Sequence, residues 1–267
     1  MRVKRGGVIF NSLPYASILY EKYRTCWCHN CYLVPPKLGC DCQHCERAVY
    51  CSSQCRQADA HQHVLECDLI SKNGEPTDPT AWLLLRVWLS WGMEQRGDLG
   101  SSPDIEEGEL VPGTSDHRRF SDFLSHEEDI KKSTRGMNYI QKHYQELESI
   151  LLDEMPDFQE FVNLYGMVVI NDFELHQSDG DMEGESLGMG VYLAPSIMNH
   201  SCRPNAEIEI VGKRLRVKSL VDIDELDVSK VFISYFPIED ESRSKRRDYL
   251  KKYFFFDCEC EKCSEES

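Results

Sequence analysis

Apolar positions recur along this chain with two periods. Asp78-Pro79 has the form of an N-cap and first helical position, and it opens Trp82-Leu83-Leu84-Leu85-Arg86-Val87-Trp88-Leu89 as a helix. Residues 120–132, 137–152 and 157–170 each repeat at helical spacing. Beyond residue 206 the period becomes two. Ala206-Glu207-Ile208-Glu209-Ile210 and Leu215-Arg216-Val217-Lys218 alternate around Gly212-Lys213, which predicts a β-hairpin. Val231-Phe232-Ile233-Ser234-Tyr235 predicts another short strand, and residues 242–253 a basic helix leading into Phe254-Phe255-Phe256. Residues 101–113 and 177–190, rich in Gly and acidic side chains, predict loops. No internal repeat or coiled-coil heptad interrupts this order, so the expected class is α+β, with metal modules.

The basic start Met1-Arg2-Val3-Lys4-Arg5-Gly6-Gly7 is followed only by Val8-Ile9-Phe10 before Asn11 and Ser12, too little for a signal peptide. The most apolar window, residues 81–91, is broken by Arg86 and is too short to span a bilayer. No membrane association is therefore expected. The 267 residues, 41% of them apolar, suffice for one large domain or two modest ones. With 46 Asp+Glu against 30 Lys+Arg, the formal charge of -16 argues against direct nucleic-acid binding. It suits a basic partner such as a lysine-rich protein tail.

Thirteen cysteines, an odd number without a secretory signal, point to metal rather than disulfides. Nine lie between Cys26 and Cys67, in the pattern Cys28-x-x-Cys31, Cys42-x-x-Cys45, Cys51-x-x-x-Cys55 and His63-x-x-x-Cys67. A Cys-x-x-Cys knuckle brings two thiolates to one zinc ion, so four such pairs supply two closed tetrahedral sites. Cys258-x-Cys260-x-x-Cys263 offers three further ligands, and Cys202 is the one distant cysteine that could complete a third zinc site. Such a site would clamp the end of the chain onto its middle.

The first cluster resembles the MYND zinc finger, whose ligands interleave. That resemblance implies one site from Cys28, Cys31, Cys51 and Cys55 and another from Cys42, Cys45, His63 and Cys67. Cys26 and Cys40 are left over, and His61 competes with His63 as the imidazole. Fingers of this type dock proteins, often proline-rich peptides.

Asn199-His200-Ser201-Cys202-x-Pro204-Asn205, then Ile233-Ser234-Tyr235, then the terminal cysteines look like the core and post-SET parts of a SET-domain lysine methyltransferase. With a MYND finger upstream, the order resembles the SMYD family over nearly the whole chain. The resemblance implies an N-terminal SET segment at 1–24, a MYND finger at 25–70, a helical insert at 71–165, a core SET at 166–236 and a post-SET at 237–267. It implies S-adenosylmethionine as cofactor beside three zinc ions, and a lysine of a histone tail or other basic protein as substrate. The corresponding roles are chromatin regulation in the nucleus and lysine methylation in the cytoplasm. Tyr235 takes the catalytic role. Asn199, His200, Asn171, Phe256 and His126 become cofactor contacts, and Phe173, Phe254 and Tyr253 the lysine channel.

The chain also departs from the family pattern. The strand and Gly-x-Gly turn expected ahead of the part matching Arg2 to Phe10, and the C-terminal helical repeats, have no counterpart in it. Val228-Ser229-Lys230 stands where a Gly-Glu-Glu-type turn is expected, and Phe254 where a second channel tyrosine is. The alternative reading is therefore an inactive MYND/SET scaffold that binds partner proteins through its finger.

Overall fold

The computed structural model describes residues 1–36, 40–96, 108–178, 182–237 and 241–266. Strands β1 (Val8–Ser12) and β2 (Ala16–Leu19) lead into the single turn α1 (Glu21–Arg24). After the cysteine-rich loops come α2 (Ser53–Asn73) and α3 (Pro79–Arg96), then the hairpin strands β3 (Glu109–Leu110) and β4 (His117–Arg118). Helices α4 (Glu127–Lys131), α5 (Thr134–Leu151) and α6 (Phe158–Val169) follow. Strands β5 (Asp172–His176), β6 (Ser186–Val191), β7 (Asn199–His200), β8 (Ala206–Val211), β9 (Arg214–Ser219) and β10 (Phe232–Ile233) precede α7 (Arg243–Phe254) and α8 (Glu261–Glu265). The architecture is α+β.

The helices begin where side chains can satisfy their free N–H groups. Asp78 accepts from the Thr80 N–H at 2.9 Å, Asp157 from Glu160 at 2.8 Å, and Ser52 from Cys55 at 3.1 Å. In α5 the buried residues are Ile140, His143, Leu147, Ile150 and Leu151, one face at three- and four-residue steps. These pack with α2, α3, α6 and the β2–β6 strands into the larger core. Within the described residues, no helix is long and apolar enough to cross a membrane.

Four small sheets carry the rest, the β3–β4 hairpin being one of them. One runs β1-β9-β8 and another β2-β6-β5, all antiparallel, while β7 and β10 pair in parallel. The predicted hairpin is β8–β9, turning at Gly212-Lys213. The β7–β10 pairing sets Phe232 against Asn199 and Ile233 against His200, so two motifs thirty-odd residues apart become neighbours.

Four expectations need correcting. Residues 186–191 of the predicted loop 177–190 and beyond form the central strand of β2-β6-β5. Its glycines serve close approach, since a Cβ at Gly188 would lie 1.8 Å from the Ile18 carbonyl oxygen. Residues 120–132 are not one helix: a turn at Phe120–Asp122 and α4 are separated by extended chain, with His126 at φ +50°. There Phe120 and Phe123 are buried in an aromatic cluster with Tyr15 and Trp91 instead of lining a helix face. The strand predicted at 231–235 pairs only over Phe232–Ile233. Of the predicted loop 101–113, residues 101–107 lie outside the described residues, and Glu109–Leu110 pairs with His117–Arg118.

Arg86, the charge inside the most apolar helix, is 6% exposed and has a specific partner. Its Nε and Nη2 donate to Glu66 Oε2 and Oε1 at 2.7 and 2.6 Å, and its Nη1 donates to the Ser17 carbonyl of β2. A bidentate pair of this kind ties α3 to α2 and to the sheet at once.

Candidate metal centres and active site

The cysteines assemble into three sets without any disulfide. Cys28, Cys31, Cys51 and Cys55 form one; Cys42, Cys45, His63 and Cys67 the second; Cys202, Cys258, Cys260 and Cys263 the third. In each set the ligand atoms lie within 4.8 Å of one another. Four sulfurs around zinc at about 2.3 Å sit roughly 3.8 Å apart. Here Cys31–Cys51 is 3.8 Å, Cys51–Cys55 3.5 Å, Cys42–Cys67 3.6 Å, Cys202–Cys263 3.7 Å and Cys202–Cys258 4.0 Å. His63 presents Nε2 to Cys45 Sγ at 3.6 Å, while its Nδ1 lies 3.5 Å from the buried Glu66. The donor sets and spacings fit three structural zinc ions. Exposed Cys26, half-buried Cys40 and exposed His61 fall outside them.

Elemental analysis of the loaded chain should therefore give about three zinc per molecule, and Cys51→Ser about two. A wild-type value of two would remove one of these assignments.

The third set joins Cys202, just after β7, to the three cysteines near the end of the chain. Arg246 on α7, 1% exposed, points Nη2 at Cys263 Sγ from 3.7 Å and pairs with Glu266 at 2.7 Å. A guanidinium here offsets the negative charge that four thiolates leave around a dication. It also means that Lys245-Arg246-Arg247 is not a free basic run.

His200 joins this set to Tyr235. The Tyr235 backbone N–H donates to His200 Nδ1 at 3.1 Å, so the ring proton belongs on Nε2, which lies 3.2 Å from Cys202 Sγ. Both ring nitrogens are thus engaged by the protein. Around Tyr235 the rings of Phe254, His200 and Phe256 stand at 4.8, 5.3 and 6.4 Å. Burial raises the Tyr235 hydroxyl to a pKa of about 12, so it stays protonated. It donates to the Met198 carbonyl at 2.7 Å, which leaves its oxygen lone pairs as acceptors.

Two cavities meet at this tyrosine. The smaller, about 500 Å³, is lined by Asn199, His200, His126, Phe256, Arg118, Leu124 and Ile197 among others. The larger, about 780 Å³, lies between β5 and β8 and has α7 as a third wall. Ile170, Asn171, Ser196, Tyr235 and Phe254 line both. Asp172, Glu174 and Glu207 line the larger, and among the described residues that line it none is Lys or Arg.

The chain is 28% identical over 268 residues to the N-lysine methyltransferase SMYD2 of Rattus norvegicus, covering 97% of this chain and 55% of that protein. It is 27% identical over 255 residues to SET domain-containing protein 14 of Caenorhabditis elegans, covering 94% and 54%. For the N-lysine methyltransferase SMYD2-B of Danio rerio the identity is 24% over 277 residues, covering 100% and 58%. The chain is similar to SMYD2-type lysine methyltransferases over nearly its whole length. It spans little more than half the length of the curated relatives it matches. No family model matches the chain.

Against the SMYD-like expectations, Asn199, His200, His126 and Phe256 line the smaller cavity, Phe173 lines the larger, and Asn171, Phe254 and Tyr235 stand at their junction. Asn171 donates through Nδ2 to the Met167 carbonyl at 2.9 Å, which fixes its amide at the end of α6. Tyr253 lines neither cavity. One helical step from Phe254, it is directed outward, exposed, and bonded to Lys252 Nζ at 2.8 Å.

Arg118 and Asp172 were not singled out from the sequence. The first lies beside a stretch read as loop, the second between two residues that carried the motif. Burial, with Glu174 adding like charge, raises Asp172 from 3.8 to about 7. A carboxyl raised by folding favours the folded state while protonated and disfavours it as pH rises through the folded value. Asp172→Asn should accordingly be more stable than wild type at about pH 8.5, by about 1–3 kcal/mol, and the gap should shrink toward about pH 5.5. Paired urea melts check this, and a gap independent of pH would contradict it.

Proposed function

We propose that this chain is a protein-lysine methyltransferase that uses S-adenosylmethionine and acts on histone tails or other basic proteins. The observation that carries this reading is the meeting of two unlike cavities at Tyr235. One offers amides and aromatic faces, and the other is a larger, acid-lined groove of about 780 Å³.

S-adenosylmethionine, when bound, supplies an activated methyl group on its sulfonium. Asn199 and Asn171 would hold its amino-acid end, and Phe256 would meet the adenine. The chain's own task is to deliver a neutral lysine amine to the junction. Phe173, Phe254 and Tyr235 form an apolar passage there, and desolvation in such a passage lowers the amine pKa. The Tyr235 oxygen, with its proton committed to Met198, can accept from the amine N–H and fix its direction. Groove carboxylates from Glu174 and Glu207 favour basic sequence around the target lysine.

A calorimetric titration of S-adenosylmethionine into the zinc-loaded chain tests the cofactor half. The expected result is saturable binding at one site. Absence of binding, with three zinc ions and a cooperative melt retained, would favour the scaffold reading.

A further inference from the structure

The smaller cavity contains one group that its amides and rings do not account for. Among the described Lys, Arg, Asp and Glu side chains, Arg118 alone lines it. Its Nε donates to Ser196 Oγ at 3.1 Å, and its guanidinium carbon lies 5.4 Å from the centre of the Phe123 ring. Ser196 lines the same cavity and is itself fixed by donating to the Leu193 carbonyl at 2.7 Å. Among the described residues Arg118 makes no ion pair within 4 Å, although burial lowers its pKa and only the Asp122 charge acts the other way. A half-buried, unpaired guanidinium on a cavity wall is relieved by an incoming anion.

The backbone that presents Arg118 is held from several sides. Two strands of two residues each cannot persist unaided. Glu109, paired with Arg118 across the hairpin, accepts from Ser12 Oγ on β1 and from the Ala194 N–H at 2.9 Å. Burial raises the Glu109 carboxyl. Val111 N–H donates to the Asp116 carbonyl at 2.8 Å and closes the turn. Gly108 has φ +78°, and a Cβ there would lie 2.5 Å from the Arg118 carbonyl oxygen, so the chain enters the hairpin hard against it. These ties aim one side chain at one cavity.

We infer that Arg118 is the residue that receives the carboxylate of the methyl donor, with the β3–β4 hairpin as its rigid mount. This rests on the function proposed above and adds to it a specific anchor. The carboxylate is the single anionic group of S-adenosylmethionine, whose sulfonium and ammonium are both cationic. A planar guanidinium matches it with two parallel N–H donors. Asn199 and Asn171 then remain for the ammonium and the main chain of the donor's amino-acid end.

The test compares S-adenosylmethionine with decarboxylated S-adenosylmethionine, which keeps the adenosine, the sulfonium and the amine. Both are titrated calorimetrically into the zinc-loaded wild type, Arg118→Gln and Arg118→Lys. Arg118→Gln should weaken the carboxylated ligand about 10–100-fold and the decarboxylated one less than about twofold. Arg118→Lys, a point charge in place of a fork, should lose a smaller part of the same difference, and it reads the effect should the Gln variant fail to fold. Equal weakening of both ligands, or none of either, would overturn the assignment of Arg118 alone. Wild type that binds neither ligand would overturn the proposed function and this anchor with it.

Discussion

Tyr235→Phe should lower methyl transfer about 10²–10³-fold while leaving zinc content unchanged and S-adenosylmethionine affinity within about twofold. The substitution removes one oxygen. It deletes the bond to the Met198 carbonyl and the lone pairs offered at the junction of the cavities, and it keeps the ring that packs on Phe254. The backbone N–H of residue 235 still donates to His200 Nδ1, so the third cysteine set keeps its link to this strand. Transfer rates on a lysine peptide, measured beside calorimetry, separate the outcomes. Undiminished transfer would remove Tyr235 from the chemistry, and loss of cofactor binding would make its role structural.

The second large effect is expected far from that site. Arg86→Met leaves the Glu66 carboxylate buried without its partner, a change that costs about 3–5 kcal/mol. Glu66 also faces the Nδ1 of the zinc ligand His63 at 3.5 Å. Arg86 holds this carboxylate well below the usual range, against the burial that would raise it, and so keeps it ionised. Loosening it should therefore weaken zinc at the second site about 10–100-fold. The double variant Glu66→Leu with Arg86→Met should recover most of the stability, because no charge remains buried, but not the zinc affinity. Urea melts and zinc competition read the two quantities separately. Zinc affinity that recovers with stability would show that Glu66 does not orient His63.

Much of this was legible in the sequence because metal chemistry writes itself in spacing. The knuckles and the terminal Cys-x-Cys-x-x-Cys mark their sites without reference to packing, and the three sets found contain those residues. Helix α3 was legible through its Asp78-Pro79 start, α5 and α6 through apolar positions recurring at helical spacing, and β8–β9 through strict alternation. Strand β6 was not, since its glycines imitate a loop while serving close contact with β2. The β7–β10 pairing, which brings Asn199 and His200 to Tyr235, joins segments too short to carry any period. Arg118 depends on a hairpin stabilised by distant partners, Ser12 and Ala194, and such partners are invisible to local pattern.

His200 shows how the legible and illegible parts combine. Motif spacing points to it, yet its position is fixed by a backbone N–H from a distant segment and by the thiol of Cys202, two residues on, which the terminal cysteines surround. The terminal zinc set therefore bears on the geometry of Tyr235, and the tail is part of the site.

The proposed reaction is transfer of a methyl group from S-adenosylmethionine to a lysine amine at the junction of the two cavities. The direct measurement is mass spectrometry of a basic lysine peptide incubated with the zinc-loaded chain and S-adenosylmethionine, beside the same peptide with that lysine replaced by arginine. The expected result is a mass gain of whole methyl groups on the lysine, absent from the arginine peptide and strongly reduced with Tyr235→Phe. No gain on any basic lysine peptide, by a chain that binds three zinc ions and the cofactor, would contradict it.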